Sequence, residues 1–211
     1  MTLRASASPR GPKPRPFILG LTGSIGMGKS AVAAMLRGLG VPVFDADAAV
    51  HELQGPDGAC VEPIERAFPG TTGPAGVDRQ KLGAAVFGNP DALKTLERIV
   101  HPEVAELRRT FLADNGEAPL IVFDIPLLFE QTGEHGLDAV VVVSAPAAMQ
   151  RERVLARPGM TAEKFEQILK LQVPDAEKRA RADHVIDTGV SLAKTRHAVQ
   201  HLVHALTAAQ K

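Results

Sequence analysis

Tryptophan and tyrosine are both missing from this 211-residue chain, and eight phenylalanines are its only aromatic FWY residues. Any stacking against a planar ligand therefore falls to Phe, His or the flat face of an arginine. Cysteine is nearly absent too. Cys60 stands alone, so no disulfide can close within the chain, as expected of a protein kept in a reducing cytoplasm. No His or Lys adjoins it to activate the thiol, and it reads as a packing residue. Net charge is lacking as well: 24 Lys and Arg balance 24 Asp and Glu. No chain-wide basic field recommends nucleic acid as a partner. No apolar run reaches the ~18 residues of a membrane span. Residues 1–16 hold Arg4, Arg10, Lys13, Arg15 and several prolines without the apolar stretch of a secretory signal. They read as a disordered tail. The expectation is a cytoplasmic protein with neither a membrane nor a nucleic-acid partner.

What is present suits one domain, since 45% hydrophobic content is ample for a core. Five short apolar runs, at residues 17–22, 41–44, 119–124, 138–143 and 183–187, lack the alternation of half-exposed strands. Continuous apolar strands separated by helical segments predict a parallel sheet covered on both faces, an α/β fold. About seventy-five residues separate the second run from the third. That gap reads as a mostly helical insertion over about 46–113. Within it, Asn89-Pro90 has the N-cap and N1-proline order of a helix start. His101-Pro102 is expected to break that helix and begin another, and residues 69–76 to form a turn-rich loop. A second insertion follows the 138–143 run.

The densest information lies in Gly23-Ser24-Ile25-Gly26-Met27-Gly28-Lys29-Ser30, which fits G-x-x-x-x-G-K-[ST] at every required position. Its glycines let successive amide N–H groups of residues 23–31 point into one concavity, and the following helix adds unpaired N–H groups and its positive end. Lys29 supplies an ammonium for β- and γ-phosphates, and the Ser30 hydroxyl is placed for Mg²⁺. Both flanks agree. An apolar strand precedes the loop, and Val32, Met35, Leu36 and Leu39 recur with helical spacing after it, with Gly40 as the stop. Nucleoside triphosphate binding follows.

Asp45-Ala46-Asp47 leaves the second strand at the same sheet edge as this loop. For Asp45, chemistry and helix capping both stay open. For Asp47 chemistry is favoured over capping: one of the two carboxylates can accept a hydroxyl proton while the other organises magnesium-bound water. Asp124 ends the third run, where P-loop enzymes hold Mg²⁺ through water. Arg153 and Arg157 are four apart, so a helix would stack them on one face, as a lid that closes over the triphosphate. Lys178, Arg179 and Arg181 read as a solvated charge run. His197, His201 and His204 fall opposite the apolar stripe of the last helix, exposed and without a carboxylate or thiol to complete a metal site.

Together these segments resemble the dephospho-CoA kinase family. The likeness runs from about residue 17 to 205 through Gly23 to Ser30, Asp45-Ala46-Asp47, Asp78-Arg79 with Leu82, Ile99 to Pro102, Pro126-Leu127-Leu128-Phe129-Glu130, Gln150 with Arg153 and Arg157, Gln172, and Ala182 to Asp187. The phosphate loop alone signals only an NTPase; its combination with the D-A-D, H-P and P-L-L-F-E segments is specific. The resemblance implies a P-loop NTPase three-layer sandwich with a five-stranded parallel sheet, a single kinase domain over 17–211, and a lid over about 145–180. It also implies ATP-dependent phosphorylation of the ribose 3′-hydroxyl of dephospho-CoA, with Mg²⁺, in a monomer or weak homo-oligomer. Asp47 is implied as the base, with Lys29 and Arg153 beside it in catalysis. Gly23, Gly26, Met27, Gly28, Lys29, Ser30, Ala31, Arg153 and Arg157 are implied on the ATP side, and Ser30 and Asp124 at the metal. Asp47, Arg79, His101, Leu127 and Glu130 are implied on the acceptor side. Ala31 stands where Thr commonly follows the Lys-Ser pair, and Thr188 where Asn is frequent. The alternatives are a P-loop kinase of another small acceptor, such as a nucleoside monophosphate, and a non-catalytic nucleotide switch. The switch would be expected to carry N-K-x-D or T-K-x-D, and the chain has neither.

Overall fold

In the computed structural model, residues 15–130 and 136–208 are described. Of the expected 1–16 tail, only Arg15 and Pro16 fall among them; the rest lies outside. In chain order the elements are β1 (Phe17–Thr22), α1 (Lys29–Gly38), β2 (Val43–Asp45), α2 (Ala46–Leu53), α3 (Val61–Ala67), β3 (Thr72–Gly73), β4 (Gly76–Val77), α4 (Arg79–Val86) and α5 (Pro90–Asp114). There follow β5 (Leu120–Asp124), β6 (Ala139–Ser144), α6 (Ala147–Leu155), α7 (Ala162–Leu171), α8 (Asp175–Arg181), β7 (His184–Asp187) and α9 (Leu192–Ala208). Every apolar run singled out in the sequence carries a strand of one parallel sheet, ordered β2-β5-β1-β6-β7. The strands bury both faces, which is why their sequences run apolar without alternation.

Two cores flank the sheet. On one face Leu19, Leu21 and Val141 pack with Val32 and Leu36 of α1 and with Val199 and Leu202 of α9. On the other, Phe44, Ile121 and Phe123 pack under Ala49 of α2 and Leu107 and Phe111 of α5. The result is three layers, as the α/β expectation requires. The insertion has its own core of Leu53, Cys60, Ile64, Leu82 and Val100. Burial pushes the Cys60 thiol up, with Glu103 adding to it, in keeping with a packing role. The expected loop over residues 69–76 contains most of a two-strand antiparallel hairpin, Thr72 opposite Val77.

Local signals explain the ends of α1 and the start of α5. Gly40 lies at φ +77° and donates to Arg37 O at 2.9 Å, while Val41 N–H reaches Leu36 O at 3.1 Å. This paired closure needs a left-handed residue that glycine adopts without a Cβ clash. Asn89 caps α5 by accepting from Ala92 N–H at 3.1 Å, with Pro90 at its first turn.

The expected break at His101-Pro102 does not occur: α5 runs 25 residues straight through Pro102. An interior proline costs roughly 3 kcal/mol in a helix. Here both halves are anchored, Leu96, Ile99 and Val100 in the insertion core and Phe111 and Leu112 on the sheet. Arg98, His101 and Pro102 are exposed, so the region around the carbonyl that loses its amide partner has access to water.

Candidate active site

The carboxyl ends of the five strands gather the chemistry at one edge, where open α/β sheets bind ligands. β1 feeds the phosphate loop, which wraps into α1 with Gly28 as a left-handed N-cap at φ +88°. That conformation turns the first amides of the helix toward the concavity. Within the loop, Met27 N–H is spent on Ser24 O and Ala31 N–H on Gly28 O, both at 3.1 Å. The amides of Gly26, Gly28, Lys29 and Ser30 have no partner among the described residues. Gly23 is buried against Val143, where a Cβ would collide; its part is to let the loop approach β6 closely.

Beneath the loop, the Lys29 ammonium pairs with Asp124 Oδ1. Asp124 is 3% exposed. Burial pushes its carboxyl above the usual range, against the pull of Lys29. In the β2–β5 register Asp45 stands beside Asp124, and its charge pushes the same way. Asp45 caps α2, accepting from Ala48 N–H at 3.0 Å, and lies 3.6 Å from Arg37. Of the two roles left open for Asp45, the structure shows the cap. Asp47 sits in the first turn of α2, exposed and without a hydrogen bond to the described residues. One turn along the same helix, His51 Nε2 contacts Arg79 Nη1 at 2.8 Å. A guanidinium only donates, so Nε2 accepts and the ring proton sits on Nδ1. His51 was not singled out in the sequence, although its i+4 spacing from Asp47 was a usable signal.

Other expected residues are placed differently. Arg153 is turned inward, donating to Thr188 O at 2.8 Å and Thr188 Oγ1 at 3.3 Å. Thr188 is 7% exposed and its hydroxyl donates to Met27 O at 2.7 Å, so it braces the phosphate loop. Arg157 does not share a helix face with Arg153: α6 ends at Leu155. Pro158 disfavours helical backbone at the residue before it, which places Arg157 in the exposed turn beyond. His101 is exposed on α5 and makes no hydrogen bond to the described residues. In the loop after β5, Leu128 is buried in the sheet core while Leu127 is 40% exposed. Thr22 Oγ1 donates to Pro126 O at 3.2 Å and fixes that loop to β1.

One correction concerns a buried charge, and two polar straps add contacts that were not assigned from the sequence. Lys178, read as part of a solvated run, is fully buried, with its Nζ 2.7 Å from Glu130 Oε1. Burial alone pushes the Glu130 carboxyl up, but the Lys178 ammonium and the Val173 N–H outweigh it and hold it below the usual range. Gln150 and Gln172 grip opposite sides of one loop residue: Gln150 Nε2 donates to Ile25 O at 2.8 Å, and Ile25 N–H donates to Gln172 Oε1 at 3.1 Å. No local pattern announces contacts made across more than a hundred residues. His197, His201 and His204 are exposed as expected, and no group of three or more potential metal ligands occurs among the described residues.

The arrangement can hold a polyphosphate on amides and an ammonium, with an exposed carboxylate, Asp47, at the same sheet edge. Comparison with known proteins agrees with that chemistry. The family profile described as dephospho-CoA kinase matches residues 17–194. The dephospho-CoA kinase of Novosphingobium aromaticivorans is 69% identical over 192 residues, 91% of this chain and 96% of its own. That of Rhizobium meliloti is 52% identical over 194 residues, 91% and 99% of the two chains. A crystal structure of a Thermus thermophilus protein, 39% identical, superposes with a TM-score of 0.81 over 92% of this chain and 99% of its own.

Proposed function

The chain belongs to the dephospho-CoA kinase family, and on that premise we propose that it transfers the γ-phosphoryl group of ATP to the ribose 3′-hydroxyl of dephospho-CoA, giving CoA and ADP. The observation that carries the reading is the phosphate loop, with four amides that have no partner among the described residues and Lys29 at the same sheet edge as Asp47. The acceptor oxygen attacks the γ-phosphorus, the bond to the β–γ bridging oxygen breaks, and the hydroxyl proton passes to Asp47. Phosphoryl transfer has a loose transition state, so holding the two substrates in line and neutralising charge matter more than the strength of the base.

The loop amides and Lys29 bind the phosphates, and Arg153, released from Thr188, adds a second cation to the charge that builds on the transferring group. Arg157, exposed beyond α6, is free to close over the triphosphate. Arg79, oriented by His51, and the outward-facing Leu127 are proposed to hold the acceptor, with His101 at the margin of the same insertion. Residues of about 46–113 form the acceptor-binding part, supported by their separate core, and about 145–180 the lid. Magnesium fits the donors present: the Ser30 hydroxyl is exposed and has no partner among the described residues, and Asp124 keeps one carboxylate oxygen outside its contact with Lys29. Hard oxygens in small number, completed by phosphates and water, suit that ion. Bound there, it would supply charge neutralisation to the phosphates. No helix among the described residues is long and apolar enough to cross a membrane, and the free, buried Cys60 is consistent with the cytoplasm as the proposed setting.

The test is to incubate the pure protein with MgATP and dephospho-CoA and look for CoA by mass spectrometry, with nucleoside monophosphates as competing acceptors. CoA as the phosphorylated product is expected. Phosphorylation of a nucleoside monophosphate instead, or preferential GTP binding with no acceptor modified, overturns the reading.

A further inference from the structure

Glu130 stands where an acceptor contact is expected from the sequence, yet its carboxylate is engaged by Val173 and Lys178 inside the protein. Glu130 Oε1 accepts from Val173 N–H at 2.9 Å and lies 2.7 Å from Lys178 Nζ. The Glu130 side chain is 13% exposed and that of Lys178 not at all. Among the described residues, neither Glu130 Oε2 nor Lys178 Nζ makes an aligned hydrogen bond. A buried ion pair satisfied so incompletely is a poor device for stability, because desolvation of both charges offsets their attraction. Its location suggests another use. Val173 directly follows Gln172, the last residue of the α7 cap, and Gln172 Oε1 takes the Ile25 N–H of the phosphate loop at 3.1 Å. Lys178 lies on α8, the next element. The pair therefore clamps the α7–α8 joint from both sides, and that joint carries the amide that holds the loop.

We infer that Glu130 and Lys178 are positioning residues for ATP: they seat the α7–α8 joint so that Gln172 holds Ile25 N–H and the phosphate loop keeps the shape that receives the triphosphate. The inference rests on the proposed ATP-dependent transfer, and it removes Glu130 from direct contact with the acceptor. Gln172 spends the Ile25 amide and so leaves the later amides of the loop to the ligand. Its loss would let Ile25 N–H seek another partner at the expense of loop geometry.

Steady-state kinetics on the full chain with ATP and dephospho-CoA varied separately distinguishes the roles. Gln172→Met is expected to raise KM for ATP about tenfold, the scale of one hydrogen bond to a loop amide, with KM for the acceptor unchanged within about twofold. Glu130→Gln and Lys178→Met are expected to give the same split. The double variant E130Q/Q172M should be no worse than the poorer single variant, because both break one path. Removing one member of a buried pair can unfold a chain. Gln172→Met, which leaves the pair intact, then carries the test alone. An unchanged KM for ATP in Gln172→Met overturns the inference, as does a Glu130→Gln variant whose KM rises for the acceptor only, or a double variant with multiplied defects. Failure of the unmodified protein to make CoA would refute the proposed function instead, so the two failures are separable.

Discussion

Replacing Lys29 by Met should do two things that its sequence position does not connect: abolish phosphoryl transfer and make stability depend on pH. The first follows from losing the only lysine in the phosphate loop. The second comes from Asp124, 3% exposed and paired with that ammonium. Breaking a fully buried pair costs roughly 3–5 kcal/mol by leaving the partner charge uncompensated. Lys29 keeps 18% of its side chain exposed, so water offsets part of the loss and about 2 kcal/mol is the expected cost at pH 8. For a domain of this size that lowers Tm by about 4–8 °C.

Burial already raises the Asp124 carboxyl and Lys29 pulls it down, so the variant raises it further. A carboxyl with a folded pKa above its unfolded value of about 3.9 favours the folded state most when protonated. Its contribution is fully present below the unfolded pKa and is lost as pH rises through the folded one. The Tm deficit of Lys29→Met relative to the unmodified protein should therefore shrink on going from pH 8 to pH 5. The double variant Lys29→Met/Asp124→Asn removes the charge and should recover most of the stability at pH 8 while staying inactive. Differential scanning calorimetry across pH 5–8, alongside CoA formation, measures both effects. A deficit equal at both pH values, with no recovery in the double variant, refutes the coupling of Lys29 to a buried carboxylate.

Four further outcomes follow from separate parts of the molecule. Asp47→Asn should lower kcat by about 10²–10⁴, the scale of a general base, with Tm unchanged because Asp47 is exposed and unbonded; near-normal turnover would remove it from its role. Thr188→Val keeps the side-chain shape but orphans Met27 O, so a loss of about 1–3 kcal/mol and a higher KM for ATP are expected; an unaltered urea midpoint would count against the brace. Gly40→Ala forces a Cβ into φ +77° and should cost about 1–2 kcal/mol, whereas Gly38→Ala, at the end of α1 with open space around it, should be neutral or stabilising by about 0.5 kcal/mol; thermal melts compare the two. Arg15 first, and Ile18 N–H after burial is set against them, hold the Asp138 carboxyl below the usual range, so Asp138→Asn should be less stable than the unmodified protein above about pH 4, the gap closing as pH falls through the depressed pKa. A gap that persists in acid would refute that linkage.

Much of the site was legible because its signals are local. The phosphate loop, the Asn89-Pro90 helix start and the Gly40 stop each depend on residues within one or two turns of each other, and all three stand as read. The two roles of Asp45 could not be separated from sequence, since a cap and a catalytic carboxylate use the same residue at the same strand end; the bond to Ala48 N–H shows the cap. Arg157 was misplaced by counting helical spacing through the residue before Pro158. Pro102 was misjudged in the opposite sense, because packing on two separate cores holds α5 together across a residue that local preference would use to end it.

By itself, then, the order of residues determined the strands, their burial on both faces, the phosphate loop and the caps, since backbone preference and hydrophobic period act over short stretches of chain. Only the folded chain decided that Lys178 is buried against Glu130, that two glutamines hold Ile25 from opposite sides, and that Thr188 ties Arg153 to the loop. Those contacts join residues 35 to 161 positions apart. A charged or amide side chain carries the same local signature on a wet surface as in a buried pair, and the difference is made by what the rest of the fold brings against it.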